Sequence, residues 1–287
     1  MAQLSHIKNR IQTVQKTQKI TKAMRMIAMS FYSKLERQRS LLNAYRDTTN
    51  SLTSLLFDGH AIIPASCIPP RKTAKPQALV IVCTSAKGLC GGLNNNLIRF
   101  FERSLISAKE SRRFFMPIGG KACNYLRNSC HGTVVEETPE YHFNTIEKIA
   151  QSIVNHIMAR TEAYTSVTIF YTHLKNFFIQ TPTQQTLLPM APKTEQSAAA
   201  KPLKNQERYL WEQDPVALGT ALMRQHLYTE IVYALFSSLI SENAARFIAM
   251  DQSTNNAHKY LEALHLVYNK SRQNIITREI AELSSTL

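Results

Sequence analysis

Proline is confined to the middle of this chain, and this distribution restricts the fold more than any other feature. All 11 prolines lie between Pro64 and Pro215, so the first 63 and the last 72 residues contain none. Because proline costs about 3 kcal/mol and glycine about 1 kcal/mol inside a helix, two stretches nearly free of both are predicted to be long helices. At 1.5 Å per residue they could extend roughly 80 and 100 Å, more than an ordinary globular core accommodates.

Both proline-free stretches repeat apolar residues every three or four positions, the spacing of a helix seam. The predicted N-terminal seam contains Leu4, Ile7, Ile11, Val14, Ile20, Met24, Ile27, Phe31, Leu35, Leu42, Tyr45, Leu52 and Leu56. The C-terminal helix is predicted to begin at Asp214-Pro215, a cap followed by proline. Its predicted seam contains Leu218, Leu222, Val232, Leu235, Leu239, Leu261, Leu264, Val267 and Ile275. Four polar residues interrupt the seams, so we expect a rod whose outer surface also meets a partner; these residues are Gln18, Gln38, Asn243 and Ser271.

The middle of the chain, from about residue 77 to residue 211, has a different period. Short apolar runs predict strands at 77–84, 114–118, 132–135 and 166–171. Helical patterns lie between them at 93–109, 121–128 and 144–160. Alternating strands and helices predict a mainly parallel, Rossmann-like α/β layer. The stretch at 191–206 is rich in alanine, lysine and proline and is predicted to be an exposed loop.

The fold class is therefore α/β, with a central α/β domain between two long helices. We predict three segments, bounded by the positions where proline begins and ends: an N-terminal helix at 1–63, the central domain at 64–213 and a C-terminal helix at 214–287.

Positive charge is concentrated in the N-terminal helix. The chain has a formal net charge of +14 and an isoelectric point near 9.7. Residues 1–57 hold ten Lys or Arg against Glu36 and Asp47, a net +8, whereas residues 215–287 hold six of each sign. An acidic partner is therefore expected at the N-terminal helix, and composition alone leaves nucleic acid, anionic lipid headgroups and an acidic protein open.

Cysteine spacing and hydropathy argue against two other classes of protein. The five cysteines form no CxxC pair and no zinc-ligand spacing with histidine. We interpret them as free thiols of a reducing compartment and predict no metal site; they are Cys67, Cys83, Cys90, Cys123 and Cys130. No uncharged apolar run approaches the roughly 18 residues that span a bilayer, so no transmembrane helix is predicted.

A glycine-rich segment, Ser85 to Asn94, lies between the first predicted strand and the helix that follows it. Loops at this position bind phosphate in many α/β proteins. This segment lacks both the GxGxxG spacing and the Gly-Lys-Ser/Thr ending of nucleotide loops. We therefore favour a structural turn at Gly88, Gly91 and Gly92.

Hydrolytic motifs are absent from the sequence, which contains no GxSxG and no HExxH pattern. Glu136 and Glu137 are adjacent on a strand-like run, so their side chains are expected on opposite faces of that strand. We predict no catalytic residue and no cofactor. An enzyme that uses the α/β domain remains an alternative, and nucleotide binding by the isolated chain would test it.

Four sequence segments resemble one known family. Residues 11–24 (IQTVQKTQKITKAM) and 88–94 (GLCGGLN) are similar to the opening and to the central signature of the γ subunits of F-type ATP synthases. Residues 242–250 (ENAARFIAM) and 269–280 (NKSRQNIITREI) resemble the C-terminal helix of that family. The similarity runs in family order from residue 3 to residue 283.

This resemblance implies a fold and a set of partners. The terminal helices would form a long antiparallel coiled coil inside a ring of three α and three β subunits. The α/β domain would lie against the ε subunit and the membrane ring of c subunits, so that contact with the membrane is indirect. Rotation of this shaft would drive the β subunits through their nucleotide states, and catalysis would remain in β.

The resemblance also implies partner-binding residues. Lys22, Met24 and Arg25 match positions near an acidic loop of β, and Arg272 and Gln273 match positions that hydrogen-bond another β loop. Bidentate geometry suits arginine to such a contact.

Three residues depart from the family pattern. Ala86 stands where members usually carry an acidic residue, and Ser30 and Phe31 stand where alanine is frequent. Since the similarity begins near residue 3, we expect no transit peptide and a location on the cytoplasmic side of a bacterial inner membrane. The alternative is a basic coiled-coil protein that binds nucleic acid through its N-terminal helix, and co-purification with DNA or with α and β would separate the two.

Overall fold

Two long helices begin and end the described part of the chain, as the distribution of proline predicts. A computed structural model describes residues 2–58, 77–107, 112–129, 132–160, 164–190 and 214–285. Helix α1 spans Ala2–Asp58 and helix α5 spans Pro215–Ser285, which are 57 and 71 residues. The predicted start of α5 is confirmed, since the Ala217 amide donates to the Asp214 carboxylate at 3.3 Å. The chain lacks proline for the whole length of α1 and, after Pro215, for the rest of α5.

The elements between these helices alternate as predicted. They are β1 (Gln77–Cys83), α2 (Leu93–Ser107), β2 (Arg112–Ile118), α3 (Gly120–Ser129), β3 (Thr133–Val134), α4 (Ile146–Ala159), β4 (Ser166–Asn176) and β5 (Ile179–Leu188). A short 3₁₀ turn at Phe143–Thr145 precedes α4. Cys67, Cys130, the loop predicted at 191–206 and the boundary predicted near residue 63 lie outside the described residues.

The sheet is mainly parallel, which confirms the predicted class. Its strand order is β3-β2-β1-β4-β5, and the first four strands are parallel. Strand β5 pairs antiparallel with β4 and was not predicted from the sequence. Its residues are mostly polar and include Pro182, which a strand tolerates at the edge of a sheet. Because its residues are mostly polar, the apolar pattern of the sequence did not predict this edge strand.

An aromatic cluster forms much of the core beside the sheet. Phe101 of α2 is fully buried and meets Phe170 of β4 edge to face, with ring centroids 5.2 Å apart. Phe115 of β2 lies 6.0 Å from Phe101 in the same arrangement. Leu97 and Val80 complete the apolar contacts of this cluster. Burial of large aromatic side chains supplies much of the free energy of folding in such a domain.

Residue contacts divide the chain into two compact units. Unit 1 comprises residues 1–33, 89–91 and 243–287, and unit 2 comprises residues 34–88 and 92–242. Helices α1 and α5 therefore contribute residues to both units, whereas the whole sheet belongs to unit 2. The division into three segments at the proline boundaries stays a prediction.

Candidate functional site

Within unit 1, the terminal helices pack as an antiparallel pair. Ile7 and Ile11 of α1 form a buried cluster with Leu261 and Leu264 of α5. Further along the pair, Thr21 faces Thr254, with their hydroxyl oxygens 2.9 Å apart. Residue numbers on α5 therefore fall as those on α1 rise, which confirms the antiparallel coiled coil.

A polar layer interrupts this apolar seam. The Arg25 guanidinium donates to the Asp251 carboxylate, with 2.5 Å between Nη1 and Oδ1. One helical turn away, the hydroxyl groups of Thr21 and Thr254 are both buried. Polar residues in a seam reduce apolar burial, but they fix the register of the two helices.

The seam of α1 departs from the predicted one beyond Val14. Ile20, Ile27 and Phe31 were expected in the seam, but their side chains are 60%, 56% and 55% exposed. The register that starts at Ile7 and Ile11 instead buries Thr21 and Ala28. Val267 of α5 is likewise exposed, against expectation. The prediction followed hydrophobicity, whereas a regular helix keeps its period even where the seam residue is polar.

Large apolar side chains therefore lie on the outside of unit 1. They belong to Ile20, Met26, Ile27, Met29, Phe31, Leu266, Val267, Ile276 and Ile280. Exposed lysines accompany them on α1 at positions 8, 16, 19 and 22. A surface that exposes this much apolar area on a thin helix pair is typical of a protein interface.

The five residues predicted to bind a partner all belong to unit 1, in two groups. Lys22 is exposed, Met24 is half-buried and Arg25 is bonded to Asp251. Arg272 and Gln273 are exposed and hydrogen-bond to no other residue in the described part of the chain.

The structure does not bring these two groups together. In the antiparallel register, Arg272 lies beside the first residues of α1, which places it about 30 Å along the helix axis from Lys22 at 1.5 Å per residue. A partner that touches both groups must therefore extend along the rod, or two different parts of the partner must be involved.

The glycine-rich segment after β1 forms a turn that is occupied by its own hydrogen bonds. The Asn94 side chain accepts from the Ser85 amide at 3.0 Å and donates to the Ser85 hydroxyl at 2.7 Å. Gly88 and Gly92 lie in this turn. Gly91 has a φ of +60° and approaches α5 within unit 1, where a side-chain carbon would lie 3.8 Å from the Ala249 Cβ.

The end of β1 is closed in a similar way. Gly119 has a φ of +91°, and a side chain there would place its Cβ 2.1 Å from the Thr84 carbonyl oxygen. The Thr84 hydroxyl accepts from the Ala122 amide at 2.8 Å, at the start of α3. The side chains of Thr84, Ser85 and Asn94 therefore bond within the chain, which suits a structural turn better than a phosphate site.

An ion pair between the half-buried Arg46 and a buried carboxylate in unit 2 was not anticipated from the sequence. Glu230 of α5 is buried, and both of its carboxylate oxygens accept from Arg46 of α1 at 2.7–3.0 Å. Gln185 of β5 donates to the same carboxylate at 2.6 Å. The guanidinium also lies over the Tyr233 ring, 3.9 Å from its centroid. Burial alone would raise the pKa of Glu230, but the hydrogen bonds and charge of Arg46 lower it below its usual value.

Unit 2 also carries an open apolar groove of about 690 Å³. It is lined by Leu41 and Tyr45 of α1, by Phe143 before α4 and by Phe236 of α5. Leu41 is 75% exposed there. Such a groove suits the side chains of a protein partner better than a charged ligand.

The described residues offer neither a metal centre nor a helix that could span a membrane. No group of three His, Cys, Asp or Glu side chains there could hold a metal ion. None of the helices in the described part of the chain has a stretch that is both long and apolar enough to cross a membrane.

Comparison with protein families and curated proteins gives consistent matches. A family model described as "ATP synthase" matches residues 3–287. The ATP synthase gamma chain of Rhizobium etli (strain CIAT 652) is 32% identical, covering 99% of this chain and 98% of the relative. That of Geobacter sp. (strain M21) is 33% identical with the same coverage.

Solved structures share the fold. A chain of the Euglena gracilis mitochondrial ATP synthase, in an assembly described as OSCP/F1/c-ring, has a TM-score of 0.69 at 17% identity and covers 99% of this chain and 93% of its own length. A chain of the Tetrahymena thermophila mitochondrial ATP synthase central stalk and c-ring has a TM-score of 0.61 at 24% identity. That match covers 81% of this chain and 98% of the other.

Proposed function

The chain belongs to the ATP synthase γ-chain family, and from this premise we propose that it couples ion flow through a membrane sector to ATP synthesis by rotating inside a catalytic head. As a γ subunit it is a non-catalytic rotor component of the central stalk of an ATP synthase. Family membership gives no support to the nucleic-acid alternative.

The single observation that best supports this role is the surface of unit 1. The helix pair buries only a narrow seam and exposes large apolar side chains such as Ile27 and Phe31. A helix pair of this kind is stabilised when a partner covers it, because helices in proteins gain most of their stability from packing against other elements. A surrounding sleeve of subunits would provide that cover on several sides at once.

We propose that three α and three β subunits form this sleeve. The exposed Lys22 and the half-buried Met24 then meet an acidic loop of β, which suits the net positive charge of this helix. Arg25 uses one nitrogen for Asp251, and its remaining N–H groups are proposed to reach the same loop. Arg272 and Gln273, about 30 Å along the rod by the helical rise, are proposed to hydrogen-bond a second β loop.

Unit 2 is proposed to contact the ε subunit and the c ring. The apolar groove beside Leu41 and Phe143 gives this unit a surface suited to protein side chains. Contact with the membrane would be indirect, through the c ring, at the cytoplasmic face of an inner membrane.

Assembly tests this function directly. The chain, tagged and co-expressed with the α and β subunits of its own host, is expected to purify as a complex that hydrolyses ATP, whereas the isolated chain is expected to hydrolyse none. Failure of the wild-type chain to assemble with α and β would overturn the proposal.

A matched pair of variants tests the surface of unit 1 on which the proposed function rests. Ile27→Ser with Phe31→Ser is expected to weaken assembly while the isolated chain keeps its helical circular dichroism, because both side chains are already exposed in the free chain. The control is Phe178→Ser, which changes an aromatic side chain of unit 2 that is 77% exposed. If the double variant assembles as well as the control, these side chains are not covered by the sleeve.

A further inference from the structure

Helix α1 has little apolar anchorage in unit 2. Between residues 36 and 48, all of which the structure describes, no side chain of α1 is buried. Leu35 precedes this stretch, and the buried side chains that follow it are Thr49 and Thr53. Along almost four helical turns, polar contacts therefore contribute much of what holds α1 in unit 2.

Two arginines and Tyr45 make those polar contacts, and the Tyr45 hydroxyl accepts from the Gln225 side chain of α5. Arg39 donates to the Leu174 carbonyl of β4 at 2.9 Å. One heptad later on the same helix, Arg46 donates three hydrogen bonds to the Glu230 carboxylate. Because the planar guanidinium is also stacked on Tyr233, its orientation is fixed in two directions.

Helix α5 is itself bonded to the sheet close to this ion pair. Ser237 and Ser241 donate to the Thr172 carbonyl of β4 at 3.3 and 3.2 Å, and Ser238 accepts from the Thr172 amide at 3.3 Å. Gln185 joins Glu230 to β5. The carboxylate of Glu230 is thus the point where α1, α5 and the sheet meet through directional bonds.

Directional bonds and apolar contacts respond differently to a twisting force. A sparsely packed apolar face gives little resistance to rotation or sliding of a helix, because the hydrophobic effect is not directional and few side chains interlock there. A bidentate ion pair resists such rotation, since turning the helix breaks short charge-assisted hydrogen bonds to a buried carboxylate.

We propose that the Arg46–Glu230 pair is a positioning device that fixes α1 in rotation against α5 and the sheet, so that torque carried by the two long helices reaches unit 2 without slippage of α1. This inference rests on the proposed rotor function. Neither residue touches nucleotide; both act by holding the helices.

The test removes the pair without leaving a buried charge. Replacing Arg46 alone would leave the buried Glu230 carboxylate without its counter-charge and could prevent folding. The double variant Arg46→Met with Glu230→Gln removes both charges and keeps an amide for Gln185. The matched control is Arg127→Met with Glu137→Gln, a second Arg–Glu pair of unit 2 that lies at the surface. Both are measured in the assembled, membrane-bound complex as ATP turnover and as ATP-driven ion pumping.

The buried-pair variant is expected to assemble and to hydrolyse ATP, yet to pump about threefold fewer ions per ATP, an effect of the size that mutations in coupling networks produce. The loss should grow when pumping works against an ion gradient, and Arg46→Lys should restore part of it. The surface control should keep the wild-type ratio.

The remaining outcomes decide against the inference. A wild-type pumping ratio in the buried-pair variant would overturn it and leave the rotor function intact, because the wild-type chain and the control still pump. If both the double variant and Arg46→Lys fail to assemble while the control assembles, the pair serves folding rather than torque. A wild-type complex that does not pump would instead count against the proposed function itself.

Discussion

The two units of this chain are stabilised in different ways. Unit 2 encloses side chains such as Leu97 and Phe101 completely, whereas the apolar cluster of unit 1 consists of Ile7, Ile11, Leu261 and Leu264, each at the margin of burial with 7–9% exposure. A sheet covered by helices encloses large side chains on its own, whereas the most deeply buried apolar residues of unit 1 are mainly small, such as Ala28 and Ala244. We therefore expect unit 2 to fold as a domain and unit 1 to be completed by the partners proposed above.

Core truncation should separate the units most clearly. Phe101→Ala is expected to destabilise unit 2 by about 3–5 kcal/mol, whereas Leu264→Ala should cost unit 1 nearer to about 2 kcal/mol, because its surroundings can close over the lost atoms. Native-state hydrogen exchange of the free chain measures each unit separately. It should also show weaker protection at both termini than in the sheet, even in the wild type. Equal protection in both units would contradict the comparison.

The next largest loss of stability is expected from substitution of a glycine in unit 2. Gly119→Ala should destabilise this unit by about 2–3 kcal/mol or more, since its φ of +91° is unfavourable for alanine and the new methyl group would meet the Thr84 carbonyl. Gly88→Ala is the matched control, because nothing lies within 4 Å of a Cβ at that position. Thermal unfolding of the two variants should differ clearly, and similar melting temperatures would show that the chain reshapes around Gly119 at little cost.

Acid should weaken unit 2 through two groups near Arg46. Burial and the charges of Arg39 and Arg46 lower the pKa of His173 below its usual 6.5, and Arg46 lowers that of Glu230 below 4.5. A lowered pKa in the fold means that the unfolded chain binds the proton more readily, so stability present above the unfolded pKa is lost as pH falls. The loss should begin near pH 6.5 with His173 and continue below pH 4.5 with Glu230.

Melting temperatures between about pH 7 and pH 5 test the first of these steps. His173→Asn should reduce the dependence in this interval, to which His156 also contributes because burial lowers its pKa, while leaving the fall at lower pH. A wild-type chain whose melting temperature rises as the pH falls from neutrality would have the opposite sign to the one expected.

The smallest effect on stability is expected where the effect on function is largest. Arg272→Ala with Gln273→Ala should leave the unfolding of the free chain unchanged, because both side chains are exposed. In the assembled complex it should lower ATP turnover and ion pumping about tenfold or more, as loss of a charged hydrogen bond of about 1.5–3 kcal/mol allows. Lys270→Ala, an exposed neighbour on α5, is the control. Wild-type turnover and pumping in the double variant would remove these two residues from the mechanism.

The sequence predicts those features of the fold that depend on the composition of short, continuous segments. The distribution of proline locates both long helices, Asp214 marks the start of α5, and the change of period to short apolar runs predicts the parallel strands. Strand β5 was not predicted because its mostly polar, half-buried residues show no apolar alternation, and its pairing with β4 defines it as a strand.

The features that sequence reasoning missed depend on contacts between distant residues. Arg46 and Glu230 look like ordinary surface charges in their own helices, and they meet across 184 positions of sequence. The seam of α1 was misplaced for a related reason: Thr21 is buried only because Thr254 of α5 faces it. Local hydrophobicity cannot report a polar pair whose two members come from opposite ends of the chain.

The edges of the sheet affect how the subunit aggregates before it is assembled with its partners. At one edge β3 is only two residues long, and at the other β5 is mostly polar and contains Pro182. Short strands, polar side chains and proline all discourage strand addition by a second chain. A newly synthesised subunit is therefore protected against amyloid-like strand stacking. Its main hazard is aggregation through the exposed apolar side chains of its helices, until the proposed α and β subunits bind and cover them.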